Sequence, residues 1–304
     1  MLYAAGIDVG GTNIKYGLVD EGGQVLFEGL RATDGVMAVE NVGAVVTALK
    51  QAAMERGIVI GGIGIGVPAI MEDGVVTGCG ENLPVMEGLA LGALVQEQAG
   101  LPVVVENDAG LMGLAELRYG AAAGLTDVVF LTVGTGIGGA LVVRGMLYSG
   151  YRNRGAELGH IRVASPGRPC GCGASGCLEA HASVKALIRE YVEMGGEAHA
   201  DGLFIFSRFR EGDVLGKEVM QRHFGYLGSG IASLINIFSP QKVVIGGGIT
   251  EAGEDYIAPI RGEALRLAMK ETSAHTMIEG ALLGNKAGFL GAAARALEAA
   301  VSNA

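Results

Sequence analysis

Two stretches of this chain, "GIDVGGTNIKYGLVD" (6–20) and "FLTVGTGIGGALVVR" (130–144), align without a gap on a shared Val-Gly. Each reads as a strand, a glycine-rich turn and a second strand, because alternating apolar residues flank glycines suited to positive φ. Their separation is far longer than a solenoid period and fits a duplicated domain. A chain built twice around such a hairpin is confined to few architectures.

Further period-two or short buried apolar runs predict strands at 3–9, 14–20, 24–30, 61–67, 102–107, 127–133, 140–145 and 242–247. Helical periodicity predicts helices near 37–56, 109–119, 182–194, 216–238, 253–270 and 285–301. Strand hairpins followed by helix–strand alternation give an α/β fold with mixed sheets. At 304 residues, two lobes are expected, and the glycines and alanines of "ELRYGAAAGLTD" (116–127) mark a plausible break. The expected domains are 1–118 and 119–304.

Composition excludes some functions. Half the residues are hydrophobic and 18% charged, which is globular and not disordered. A net charge of −10 disfavours nucleic acid and anionic membrane as partners, since both call for basic surfaces. The N-terminus lacks the basic flank, apolar stretch and cleavage site of a signal peptide, so a cytoplasmic protein is expected, where structural disulfides are rare.

"GTGIGG" (134–139) satisfies the dinucleotide fingerprint G-x-G-x-x-G, but that motif must open a helix, and here the β-branched "ALVVRG" follows. Such a turn can still present N–H groups to phosphate, and "DVGGTNIK" (8–15) adds donors from Thr12, Asn13 and Lys15. The bland reading of either turn is a tight hairpin whose glycines only supply positive φ. A third run, "VVIGGGIT" (243–250), ends a buried strand where glycine lets a flat ring lie against backbone.

Taken together, Asp8-Val-Gly-Gly-Thr-Asn-Ile-Lys15, Gly134-Thr-Gly-Ile-Gly-Gly139 and Gly246-Gly-Gly248 resemble the phosphate and adenosine motifs of the actin/sugar-kinase superfamily. Glu157-Leu-Gly-His160, Cys170-Gly-Cys172 and Cys177-Leu-Glu179 resemble the zinc signature of the ROK family of sugar kinases and repressors. The resemblance implies a two-lobed actin/hexokinase-like (ribonuclease H-like) fold with an interlobe cleft, and transfer of the γ-phosphoryl of ATP, with Mg²⁺, to a hexose hydroxyl. Cofactor contacts then fall to Asp8, Gly10, Gly11, Thr12, Asn13, Lys15, Gly134, Thr135, Gly136, Gly138, Gly247 and Gly248, with Asp8 meeting magnesium through water. The family is often a homodimer, and the apolar stretch 224–238 suits a core or an interface equally. In related folds the C-terminal helix, here 285–301, crosses back to the first lobe.

The cysteines point to a metal independently of any resemblance. Three of the chain's four lie within eight positions, at Cys170, Cys172 and Cys177, ten residues after His160. Cys170 and Cys172 are too close to pair comfortably, and three cysteines leave one over. Three thiolates and one imidazole close a tetrahedral structural zinc site with no open position for hydrolysis. By resemblance Glu157, His160 and Glu179 line the hexose pocket, His160 serving both metal and sugar, while His181 has no family role and reads as an ordinary loop histidine.

"PVVVENDAG" (102–110) delivers Asn107 and Asp108 at the C-terminal end of a buried strand, where α/β folds place ligands. Asp108 also stands where a helix N-cap belongs. The family's Asn-Asp pair implies that Asp108 accepts the proton of the attacking 6-hydroxyl and that Asn107 holds neighbouring hydroxyls. Asn82 fits a sugar-contacting Asn-Leu-Pro. Around it Ala69 replaces a glycine and Met86 a tryptophan of the glucokinase-like pattern, an altered rim that suits an N-acetyl group, so glucose leads with N-acetylmannosamine or N-acetylglucosamine close behind. A non-catalytic sugar-sensing regulator is disfavoured, since the phosphate-turn strand begins within the first residues and no basic recognition helix is visible.

Overall fold

The computed structural model describes residues 2–34, 37–78 and 83–302. They fall into two compact units, one of the described residues within 1–124, 149–155 and 285–304, the other of 125–148 and 156–284.

The first unit is built on a five-stranded sheet of β1 (Tyr3–Val9), β2 (Asn13–Asp20), β3 (Val25–Ala32), β4 (Ile60–Val67) and β7 (Val103–Asn107), in the order β3-β2-β1-β4-β7. β1, β2 and β3 are antiparallel neighbours, whereas β4 and β7 run parallel to β1. Helix α1 (Ala38–Glu55) covers this sheet with Val42, Val45, Val46 and Leu49 on one buried stripe, which join Ile7, Val9, Ile63 and Ile65 in the core. A short hairpin, β5 (Ile70–Glu72) and β6 (Val75–Thr77), turns at Asp73-Gly74, both at positive φ, as a two-residue hairpin loop requires. Helices α2 (Leu91–Ala99) and α3 (Asp108–Tyr119) flank β7.

Helix α10 (Ala287–Ser302) belongs to this unit although it closes the chain. Its backbone lies so near the sheet that a Cβ on Gly6 or Gly64 would overlap the Phe289 or Ala292 carbonyl. Those two glycines are why "YAAGIDV" and "GGIGIGV" can take a helix at such close range.

The second unit repeats the plan. β8 (Val128–Val133), β9 (Ile137–Val143), β10 (Met146–Leu147), β11 (Lys242–Gly246) and β12 (Met277–Gly280) are ordered β10-β9-β8-β11-β12. The first three are antiparallel, and β11 and β12 run parallel to β8. Between the halves of this sheet lie α4 (Leu178–Ala182), α5 (Val184–Glu193), α6 (Gly202–Glu211) and α7 (Val214–Phe238); α8 (Glu254–Leu267) and α9 (Lys270–Ser273) follow β11. The helix expected over 182–194 breaks at Ser183, whose extended backbone lets its hydroxyl accept from Ala186 N at 3.1 Å and cap α5. The long α7 starts at an Asp213 cap and buries Val219, Phe224, Leu227 and Ile231 in the core of this unit. Among the described residues no helix is long and apolar enough to cross a membrane.

Candidate active site

In the first unit the chemistry gathers at the C-terminal ends of three adjacent parallel strands. Register sets Asp8 opposite Gly66 on β4, and Val67 opposite Asn107 on β7. Asp8 also faces Lys15 across the β1–β2 hairpin. It is buried, and burial, followed by repulsion from Asp108, raises it to about 6 against the pull of Lys15. The turn between β1 and β2 closes with Gly10 N donating to Asn13 O at 3.0 Å, leaving Gly11 and Thr12 exposed. Thr33 braces it, donating Oγ1 to Gly10 O at 2.8 Å and N to Thr12 O at 2.8 Å.

The cap of α3 is Asn107, not Asp108. Asn107 Oδ1 accepts from Gly110 N at 3.1 Å and its Nδ2 donates to Ala69 O at 3.3 Å, while Asp108 is the first helical residue and accepts from its neighbour Ala109 N at 2.8 Å. The extended backbone of Asn107 suits a cap, and the helix begins one residue earlier than the sequence suggests. Asp108 thus lies in the first turn, where the helix macrodipole favours a carboxylate.

The N-terminus of α10 reaches the same place, which the sequence reading missed. A Cβ on Gly288 would overlap the Asp8 carboxylate, and Asn285 Oδ1 accepts from Lys15 Nζ at 3.0 Å. The available signal was a glycine in the first turn of an apolar helix, but nothing local ties it to a strand some 280 residues earlier.

In the second unit Gly134, Thr135 and Gly136 form the turn between β8 and β9, with Gly134 N donating to Gly136 O at 2.9 Å. Gly138 lies beyond it, in β9 opposite Thr132, so the glycine-rich motif is half turn and half strand. Gly247 follows β11 at φ 104°, where a Cβ would overlap the Val133 carbonyl at the start of that turn. Parallel pairing of β8 and β11 therefore sets both glycine runs at one edge of the sheet. Glu179, at the start of α4, reaches back to the turn and accepts from Ile137 N at 2.9 Å.

His160, Cys170, Cys172 and Cys177 come together, their ligand atoms all within 4.8 Å of one another. His160 Nδ1 is 3.6 Å from Cys170 Sγ, and Cys172 Sγ is 3.7 Å from Cys177 Sγ. Donors ~2.0–2.3 Å from a tetrahedral ion stand roughly 3.5–3.8 Å apart, so the set fits zinc, whereas a disulfide needs about 2.05 Å. Burial pushes Cys170 up to about 12 and raises Cys177 as well, while the Ala174 backbone holds Cys172 below its usual value, so Cys170 and Cys177 need a cation beside them to be thiolates. The loop is knotted by backbone bonds, Cys170 N to Ala174 O at 2.8 Å and Gly176 N to Arg168 O at 2.8 Å. His160 turns its other nitrogen toward Glu157, with Nε2 4.0 Å from Oε2, and Glu179 Oε1 stands 3.8 Å from Cys170 Sγ. His181 is no loop residue. It is buried in α4 and its Nε2 accepts from Arg168 N at 3.1 Å, so its ring supports the cysteine loop from below. Asn82 lies outside the described residues.

The sequence matches a family model described as the ROK family over residues 4–299. The chain belongs to the ROK family. It is 35% identical to a glucokinase of Thermotoga maritima over 95% of both chains. Among solved ROK structures, a glucokinase from Streptomyces griseus in complex with glucose and AMPPNP is 34% identical, with a TM-score of 0.84 over 97% of this chain and 99% of that one. A ROK hexokinase from Thermus thermophilus is 33% identical, with a TM-score of 0.86 over the whole of both. The α/β fold with open mixed sheets is that of these actin-like sugar kinases.

Proposed function

We propose that this chain is an ATP-dependent sugar kinase that phosphorylates glucose at its 6-hydroxyl, with Asp108 as general base. The observation that carries the reading is a pair of carboxylates that repel each other, buried Asp8 on β1 and half-buried Asp108 after β7, at one end of the sheet in a chain 34–35% identical to glucokinases over nearly its full length.

Phosphoryl transfer asks the protein mainly to position and to neutralise charge. The exposed Gly10–Asn13 turn and the Gly134–Gly136 turn offer backbone N–H groups to phosphate oxygens, with Lys15 as the nearby cation. Gly247 and Gly248 keep the edge beside β8 open for the adenosine. Asp8 fits a magnesium-water shell because its charge, crowded by burial and by Asp108, is relieved by a cation; bound magnesium supplies neutralisation of the phosphates.

Asp108 accepts the proton of the 6-hydroxyl as its oxygen attacks phosphorus. Asn107 has its carbonyl in the α3 cap and one N–H on Ala69, so its second amide N–H is what it offers a sugar hydroxyl. Glu157, His160 and Glu179 hold the ring hydroxyls, and a structural zinc on His160, Cys170, Cys172 and Cys177 fixes the loop carrying them. Asn82 completes the sugar contacts.

The test is ADP release by the purified protein against glucose, mannose, fructose, allose, N-acetylglucosamine and N-acetylmannosamine, with 6-deoxyglucose as control. Glucose turned over fastest and 6-deoxyglucose inert supports the reading. Faster turnover of an N-acetylated sugar moves the assignment to that substrate.

A further inference from the structure

Residues Ser149–Gly155 pack with the first unit although the residues on both sides belong to the second. This loop closes on itself, Gly155 N donating to Ser149 O at 2.8 Å, and holds Arg152 and Asn153 at φ 56° and 57°. Left-handed backbone is costly for residues other than glycine and persists only where surroundings over-determine it. Here the surroundings are one short hairpin. Glu72, at the end of β5, accepts from both Arg152 and Arg154, Asp73 stands 3.7 Å from Arg152, and Asn153 Nδ2 donates to Met71 O at 2.9 Å. The Glu72 side chain is only 12% exposed, against 51% and 57% for its two arginines, so the carboxylate is the fixed point of the cluster.

The loop runs directly into the sugar-side turn. Ala156 is again left-handed at φ 61°, Leu158 N donates to Ala156 O at 2.8 Å, and His160 N to Glu157 O at 3.0 Å. From Arg154 to Glu157 there are three residues, a reach of roughly 10 Å at full extension, and most of it is already committed to turns. We propose that Glu72 is a positioning residue for sugar binding: by holding Arg152 and Arg154 it fixes the loop from which Glu157 emerges. The effect is carried along the covalent chain. It rests on the reading of Glu157 as a sugar ligand.

If release of the loop leaves a smaller fraction of molecules with Glu157 in place, apparent sugar affinity falls by that fraction. Arginines this exposed are screened by solvent, so the change is modest, roughly three- to tenfold. The experiment is steady-state kinetics on the purified chain in zinc-supplemented buffer with glucose varied at saturating ATP, comparing wild type, Glu72→Gln, Arg152→Gln/Arg154→Gln and the triple variant. Expected is a glucose KM raised about three- to tenfold in Glu72→Gln, with kcat and the KM for ATP within about twofold. The triple variant is no worse than Glu72→Gln alone, and added salt raises the wild-type glucose KM but not that of the variant. A folded Glu72→Gln with unchanged glucose KM, or one that loses only kcat and thermal stability, overturns the proposal. Glu157→Gln run alongside separates the two failures. If it leaves glucose KM unmoved, the sugar-ligand reading and the positioning role fall together; if it raises KM while Glu72→Gln does not, only the positioning role falls.

Discussion

The two units share one strand order and are furnished in opposite ways at the same edge. In the first, β1 and β7 end in Asp8 and Asn107-Asp108, so carboxylates sit at the strand ends. In the second, β8 and β11, the counterparts of β1 and β4, run into Gly134–Gly136 and Gly247, and Glu179 reaches in from a helix. The metal-fitting cluster is also in the second unit alone, among the described residues. On the proposed reading, the proton-accepting carboxylate stands on the first unit alone, while each unit offers a glycine turn to phosphate. The edge is reusable because strand pairing fixes it, while the residues standing on it are free to diverge.

The sharpest way to break that comparison is at Asp108. Asp108→Ala is expected to lose roughly 10²–10⁴-fold in kcat while glucose and ATP still bind by calorimetry; turnover near wild type would leave the first unit without its chemistry. Removing the metal tests the other side. If the proposed zinc orders the loop, Cys172→Ser drops zinc from one equivalent to none by elemental analysis and raises the glucose KM at least about tenfold. Hydrogen exchange should speed up over 157–179 and stay unchanged in β1, β4 and β7.

Smaller effects come from paired glycines. Gly288→Ala pushes on Asp8 and should lower kcat about tenfold, raising the Mg²⁺ concentration for half activity with glucose KM unmoved. Gly247→Ala, strained at φ 104° and against Val133, should instead raise the KM for ATP. A swap of these two signatures would reverse the assignment of the units.

Acid should also act on the units with opposite sign. Asp8 is raised from 3.8 to about 6, so its burial favours the folded state below about pH 4, an advantage lost as pH rises through 6. His223, buried with its Nε2 2.7 Å from Tyr256 Oη, is lowered from 6.5 to about 3, so its stability is present above pH 6.5 and lost as pH falls toward 3. Each slope is at most ~1.4 kcal/mol per pH unit within its window. In metal-free buffer, Asp8→Asn should therefore melt several degrees higher than wild type at pH 7 and no higher at pH 4. His223→Gln should flatten the loss of stability between pH 6.5 and 4. Parallel pH profiles for the two variants would show that neither group titrates as its surroundings require.

Much of the site was legible along the chain because turn chemistry and metal spacing are local. The Gly10–Asn13 turn, the Cys170–Cys177 knuckle and the strand-end Asn107-Asp108 are each set by residues within a dozen positions. What escaped was of two kinds. Short elements such as α2, α6, β12 and the β5–β6 hairpin hold too few residues for a period to show. Long-range partners gave no signal either: Gly288 beneath Asp8, His181 behind the cysteine loop, Glu72 under two arginines. Asn107 rather than Asp108 became the cap because one residue of extended backbone, invisible in composition, shifted the start of α3.

That the chain is α/β, carries the hairpin twice and holds a Cys₃His set ready for a metal could be read along the sequence. Apolar periodicity, positive-φ glycines and thiol spacing act over a few residues and need no partner. That the glycine of the last helix meets Asp8 and that residues 149–155 are held by Glu72 came from packing alone. Those pairings join segments tens to hundreds of residues apart, where packing and charge choose the neighbour and no local pattern records the choice.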